Sequence, residues 1–210
     1  MSTESIKVLI VEDHLLTRLG LTMVLNAWPT ITIVGEADNG ITALDLINEI
    51  KPDVAVVDIG LPQMDGIECT TIVKSSNSNS RILLRSSHQE DDAILAVIRS
   101  GADGYCLKDS SDAVLISAIE TVASGYAWLD SRAASQILSM LSTAKEYRQG
   151  ETSMVNRHQN LAHAVALSQD EQLVLETISR QEFKASKPDQ LRPILSKIAS
   201  ALSRINGERN

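Results

Sequence analysis

A chain of 210 residues that is 43% hydrophobic but only 3% aromatic suits one or two globular domains with aliphatic cores. No apolar run approaches the ~18 residues of a membrane span, and Cys69 and Cys106 lack the CxxC spacing of a zinc site or a disulfide scaffold, which points to a reducing, cytoplasmic setting. The net charge of -8 is uneven: residues 1–130 hold 19 acidic against 8 basic residues, whereas residues 131–210 hold 8 against 11. The opening MSTESIKVLIVEDH has no positive n-region, so no signal peptide is expected.

Lys7 to Val11 is a compact β-branched and Leu run, a buried strand ended by Glu12-Asp13-His14. Leu15 to Trp28 carries Leu15, Leu16, Leu19, Val24 and Leu25 at helical spacing, and Pro29 stops it. Ile31 to Ala37 is a second strand, Asn39-Gly40 a turn, and Ala43, Leu44, Ile47 and Ile50 mark a helix closed by Pro52. The apolar run Val54 to Val57 ends in Asp58. A turn follows at Gly60 to Pro62, and Met64-Asp65-Gly66 opens a helix over Ile67 to Ser75. Arg81 to Ser86 is a fourth strand, Asp91 to Ser100 a helix, Gly104 to Leu107 a fifth strand, and Asp112 to Ser124 a helix closed by Gly125.

Strand and helix thus alternate five times, which implies parallel pairing with right-handed crossovers. Near-continuous apolar strands fit a sheet covered on both faces. The expected fold is α/β: a flavodoxin-like doubly wound (βα)5 domain with a parallel five-stranded sheet, followed by an α-helical C-terminal region. Such a fold gathers its chemistry at the carboxyl ends of its strands.

Those ends present Glu12 and Asp13, Asp58, Ser86 and Lys108. Taken singly, each has a plain use: Glu12-Asp13 could cap the first helix, and Asp58 a turn. Together they place three carboxylates, a hydroxyl and an ammonium at one edge. At about 5 Å and an effective dielectric near 20, each carboxylate pair repels by roughly 3 kcal/mol. A hard divalent cation such as Mg²⁺ relieves this. A carboxylate nucleophile with Mg²⁺, Lys and a hydroxyl suits phosphoryl transfer, where catalysis is mostly positioning and charge neutralisation.

The runs VLIVEDH, VVDIGLPQMDGIE, LLRSSH and SGADGYCLKD resemble the receiver domain of bacterial two-component response regulators, in unbroken order over roughly residues 5–130. GADGYCLKD and GYAWLDS resemble the NarL/FixJ-type subfamily in particular. The resemblance implies that Asp58 accepts phosphate from the phospho-His of a sensor histidine kinase. It implies Mg²⁺ held by Asp13, Asp58 and the Gly60 backbone carbonyl, with Glu12 acting through water. Ser86 and Lys108 would bind phosphoryl oxygens, and Tyr105 matches the aromatic switch residue, expected to turn inward on phosphorylation. Beyond its own phosphorylation and dephosphorylation, no enzymatic turnover is implied. The haloacid-dehalogenase-like alternative needs a second Asp two residues after the first, and Asp58-Ile59-Gly60 lacks it. Arg85 departs from the family, which usually carries an apolar residue there. It could reach out to solvent, meet an acid, or adjust the switch.

The second half is less legible. Ser131 to Leu141 fits a linker helix, and Thr143 to His163 is polar and weakly patterned, with His158 and His163 read as exposed linker residues. Leu167 to Gln181 is amphipathic, with Ser168 and Glu171 as a capping box, and resembles the opening helix of a LuxR-type helix-turn-helix domain. Lys187-Pro188 and Arg192-Pro193 then interrupt, and no recognition helix follows. Arg180, Lys184, Lys187, Arg192, Lys197, Arg204 and Arg209 make this tail basic, but charge alone gives weak, salt-sensitive DNA binding. The expected division is a receiver domain over 1–130, a linker helix and flexible linker over 131–166, and a remnant or divergent helix-turn-helix over 167–210. Phosphorylation would switch a protein-interaction surface on the Asp91–Ser124 face, for a protein target or a second copy of the chain. A phosphorylation-controlled DNA-binding regulator is the alternative, and a phosphate sink without output a third reading. No membrane partner is expected.

Overall fold

A computed structural model of the chain describes residues 5–76, 78–87, 91–146, 191–198 and 200. Two compact units divide it: Met1–His88 with Ser100–Trp128, and Gln89–Arg99 with Leu129–Asn210.

The first unit holds strands β1 (Ile6–Val11), β2 (Ile31–Ala37), β3 (Val54–Asp58), β4 (Arg81–Ser86) and β5 (Gly104–Leu107). They pair in parallel, β1 with β2 and β3, and β4 with β3 and β5. The five-stranded parallel sheet expected from the sequence is present, and a two-residue strand β6 (Trp128–Leu129) extends it in the order β2-β1-β3-β4-β5-β6. Strand β3 is buried at every position, and β1 over its last four. That is why these segments read as unbroken apolar runs rather than alternating ones.

Helices α1 (Leu15–Asn26), α2 (Gly40–Ile50), α3 (Gly66–Ser75) and α5 (Asp112–Ala123) complete this unit. Asn39 caps α2 by accepting from Thr42 N at 2.9 Å, and Asp65 caps α3 by accepting from Glu68 N at 2.7 Å. In α1 the sequence marked five apolar positions, but of these only Leu25 is buried, joined by Leu21. Leu15, Leu16, Leu19 and Met23 are 56%, 72%, 48% and 76% exposed and lie within one face of the helix. Both cysteines are buried thiols outside any disulfide, as small core residues. Burial, aided by the charges of Asp65 and Glu68, pushes the Cys69 thiol up to about 11.

The second unit includes α4 (Asp91–Ser100) up to Arg99, and α6 (Ser131–Glu146). Ala133, Ala134 and Ile137 are buried on α6, and the Asp130 carboxylate accepts from Arg132 N at 3.0 Å at its start. The helix outlasts the expected Leu141 end by more than a turn, since Thr143–Glu146 contain no proline or glycine to stop it. Residues 191–198 are also helical, with Leu191, Ile194 and Ile198 buried at a spacing of three and four. Pro193 therefore lies in the first turn of the described helical residues 191–198. The expected linker beyond residue 146, His158, His163, the Leu167–Gln181 helix with its capping box, and the basic residues Arg180, Lys184, Lys187, Arg204 and Arg209 fall outside the described residues. Among the described residues, no helix is long and apolar enough to cross a membrane.

Candidate functional site

Glu12 follows β1, Asp58 closes β3, and the register pairs Val11 with Val57, so the two carboxylates sit side by side at the carboxyl edge. Glu12 is 1% and Asp58 6% exposed, whereas Asp13 is exposed. One oxygen from each of Glu12, Asp13 and Asp58 lies within 4.8 Å of the others. Three hard oxygen donors at this separation fit a divalent cation of the Mg²⁺ or Ca²⁺ kind.

Lys108 follows β5 and lies over the pair. Its Nζ is 2.8 Å from Glu12 Oε2, 3.1 Å from Glu12 Oε1 and 2.9 Å from Asp58 Oδ2. Burial alone would lower the Lys108 pKa, but hydrogen bonds and charge from Glu12 and Asp58 outweigh it and hold it above the ordinary lysine value. The ammonium is charged at neutral pH and offsets one of three negative charges.

The plainer uses of these acids are met only in part: Glu12 Oε1 accepts from the N-cap His14 N at 3.4 Å. Helix α1 has His14 at its N-cap with no side-chain cap bond, so Asp13 does not cap it. The turn after Asp58 closes on backbone, with Leu61 N and Gly66 N both donating to the Ile59 carbonyl at 3.0 Å. Two glycines let this loop fold so tightly. A Cβ on Gly66 would come 2.1 Å from the Asp58 carbonyl oxygen, and one on Gly40 would come 2.4 Å from the Met64 carbonyl oxygen. The loop thereby brings Gly60 beside the Asp58 carboxylate, its Cβ position 3.7 Å from Oδ2.

Ser86 is 3% exposed, and its carbonyl accepts from Lys108 N at 2.8 Å, which ties the ends of β4 and β5 together. Tyr105 pairs with Leu84 and is only 2% exposed, so the expected inward turn has no outward starting point in this structure. Arg85 does not reach out to solvent. It is 6% exposed, and its Nη2 donates to the Lys108 carbonyl at 3.1 Å. The sequence flagged Arg85 as a departure but did not place it at the site. The signal was its position: it immediately precedes Ser86 at the end of a buried strand.

A parallel doubly wound sheet with an acidic trio and a lysine at its carboxyl edge defines a receiver-type domain. The chain belongs to the response regulator receiver domain family, which it matches over residues 8–120. It is similar to the transcriptional regulatory protein LiaR of Bacillus subtilis, 34% identical over 161 residues that cover 77% of this chain and 76% of LiaR. The transcriptional regulatory protein YdfI of the same organism is 39% identical over 109 residues, 52% of this chain and 51% of YdfI. The solved receiver domain of NarL from Mycobacterium tuberculosis superposes with a TM-score of 0.57 at 36% identity, covering 59% of this chain and 99% of that domain. The chain thus spans about half the length of YdfI, and about three quarters of LiaR. It is a response regulator of the NarL and LuxR kind, a family whose members are not classical enzymes.

Proposed function

We propose that Asp58 is the phosphoacceptor of a two-component relay and that its phosphorylation switches the output of the chain. An Asp58 oxygen attacks the phosphorus of a phospho-histidine on a sensor kinase. The P–O bond forms as the P–N bond breaks, and the imidazole nitrogen keeps the electron pair. Mg²⁺, held by Asp13, Asp58 and the Gly60 carbonyl with Glu12 acting through water, would supply charge neutralisation for the phosphoryl oxygens. Lys108 already carries hydrogen bonds to Glu12 and Asp58 and binds a phosphoryl oxygen when one arrives; Ser86 supplies a hydroxyl. Domain bounds of 1–130 for the receiver, 131–166 for the linker and 167–210 for the output region accompany this reading.

One observation carries it: three carboxylates lie within 4.8 Å of one another at the edge of a receiver fold, and two of them, Glu12 and Asp58, share the Lys108 ammonium. The exposed stripe Leu15, Leu16, Leu19 and Met23 begins two residues after Asp13 and offers the kinase an apolar helix face beside the acceptor. The test incubates the full chain with acetyl phosphate and Mg²⁺ and reads the gain of one phosphoryl group by intact mass. Wild type gains it, and Asp58→Asn or chelation of Mg²⁺ abolishes it. Undiminished labelling of Asp58→Asn refutes the assignment.

Switching of a protein-interaction surface is the output we favour for the receiver. DNA binding is the second reading, supported by the match to LiaR, a transcriptional regulator, running over 161 residues and so past the receiver. A mobility-shift assay of phosphorylated and unphosphorylated chain on promoter DNA separates the two. Sequence-dependent shifts would replace the protein-interaction output with transcriptional control.

A further inference from the structure

Arg85 is a charged side chain with unmet hydrogen-bonding capacity next to the acidic cluster. It is 94% buried by its 6% exposure, and neither its Nε nor its Nη1 has a hydrogen-bond partner among the described residues. A guanidinium remains charged in protein interiors, so this is a buried cation with donors to spare. Leaving such donors unmet is costly, and a well-packed apolar residue would avoid that cost.

The register says where this cation stands. Asp58 pairs with Arg85, and Arg85 pairs with Cys106. Paired residues of parallel strands project on the same face of a sheet. Asp58, Arg85 and Cys106 therefore form one row across β3, β4 and β5, with Glu12 next after the Val11–Val57 pair and Lys108 just past the end of β5. Arg85 is the immediate lateral neighbour of the proposed phosphoacceptor. Burial lowers its pKa, while Cys106, Glu12, Asp58 and Asp112 pull in the other direction. The hydrogen bond from its Nη2 to the Lys108 carbonyl fastens it to the residue that bridges Glu12 and Asp58.

We propose that Arg85 is a second built-in cation of the acidic site, a positioning residue that offsets the carboxylates in the resting protein and offers its unmet donors to a phosphoryl group on Asp58. This rests on the phosphoacceptor reading above. Two effects of opposite sign follow. In the resting state Arg85 competes with a divalent cation for the same negative charge, which weakens metal binding. In the phosphorylated state the arriving oxygens bring added negative charge, and Arg85 favours that state.

The experiment uses the full chain as wild type, Arg85→Leu and Arg85→Lys. Mg²⁺ alone is titrated by calorimetry, and beryllofluoride, a tetrahedral phosphoryl mimic, is titrated by fluorine NMR at saturating Mg²⁺. Arg85→Leu is expected to bind Mg²⁺ about tenfold more tightly and beryllofluoride about tenfold more weakly, the scale of one charge removed at close range. Arg85→Lys keeps the charge and is expected to stay within about threefold of wild type for Mg²⁺. Local misfolding weakens both ligands together, so opposite shifts cannot come from it. Equal affinities in wild type and Arg85→Leu, or a loss of both ligands in the variant, overturns the proposal while leaving Asp58 as acceptor. A wild type that binds neither Mg²⁺ nor beryllofluoride overturns the phosphoacceptor reading, and this proposal with it.

Discussion

The two edges of the parallel sheet treat buried carboxylates in opposite ways. At the amino edge, Asp103 is 1% exposed and is met by Lys74, by Arg81 Nη1 at 3.3 Å and by Ile82 N at 2.8 Å. At the carboxyl edge, Glu12, Asp13 and Asp58 cluster together, and Glu12 and Asp58 share the Lys108 ammonium. The first site has more cations than acids and uses its carboxylate to join α3, β4 and the start of β5. The second has more acids than ammonium groups and therefore an unfilled demand for positive charge. Burial of a carboxylate is common to both, so burial alone does not mark the reactive edge; the local charge balance does.

Removing the acid at each edge should expose this difference most strongly. Asp103→Ala takes a buried carboxylate away from two cations and a backbone N–H, and is expected to cost about 3–5 kcal/mol of stability. Asp58→Asn relieves repulsion within the trio while giving up one bond to Lys108, and is expected to change stability by less than about 1 kcal/mol. Urea unfolding of both variants measures this. If Asp58→Asn were as damaging as Asp103→Ala, the carboxyl edge would be a structural ion-pair site like its counterpart.

Lys108→Met tests the same comparison from the cation's side. It removes the ammonium shared by Glu12 and Asp58, at an expected cost of about 1.5–3 kcal/mol without metal. Millimolar Mg²⁺ should restore much of this, because a metal bound by the trio stabilises the folded state by mass action. The same Mg²⁺ should raise Asp103→Ala only by as much as it raises wild type, leaving its deficit unchanged. Thermal melts with and without Mg²⁺ provide the check.

The loop that carries the site should be intolerant of one extra carbon. Gly66→Ala sets a Cβ against the Asp58 carbonyl oxygen, and is expected to cost about 1–3 kcal/mol by overpacking. Gly20, inside α1, has nothing within 4 Å of its Cβ position, so Gly20→Ala is expected to gain up to about 1 kcal/mol. Comparing the two urea midpoints separates a local steric demand from a general intolerance of alanine.

Much of the fold was legible because buried parallel strands and capped helices leave local signals: unbroken Val54 to Val57, Asn39 and Asp65 at helix starts. Glu12, Asp13, Asp58 and Lys108 were legible as a group because strand ends fix the edge at which they meet. Features decided by long-range contacts were not. Periodicity marks Leu15, Leu16 and Leu19 as apolar without saying that no core covers them. A two-residue strand such as Trp128–Leu129 is too short for any period. The place of Arg85 depends on the pairing of β4 with β3 and β5, which a single strand's sequence does not contain. The buried state of Tyr105 is likewise a matter of packing.

The smallest expected effect concerns pH. The folded-state pKa of Lys108 is raised above its ordinary value, because Glu12 and Asp58 favour the charged form more than burial disfavours it. A raised lysine pKa contributes stability that is fully present below the unfolded value of about 10.4 and is lost as pH rises through the folded value. The stability difference between wild type and Lys108→Met should therefore be flat from neutral pH to about 10 and shrink above it. Urea unfolding across that range reads the difference directly, and taking it between two variants cancels the titration of lysines and tyrosines elsewhere. A difference that persisted unchanged well above the folded pKa would mean that Lys108 acts through packing of its aliphatic stem rather than through its charge. The carboxyl edge would then lack the charge coupling that sets it apart from the Asp103 edge.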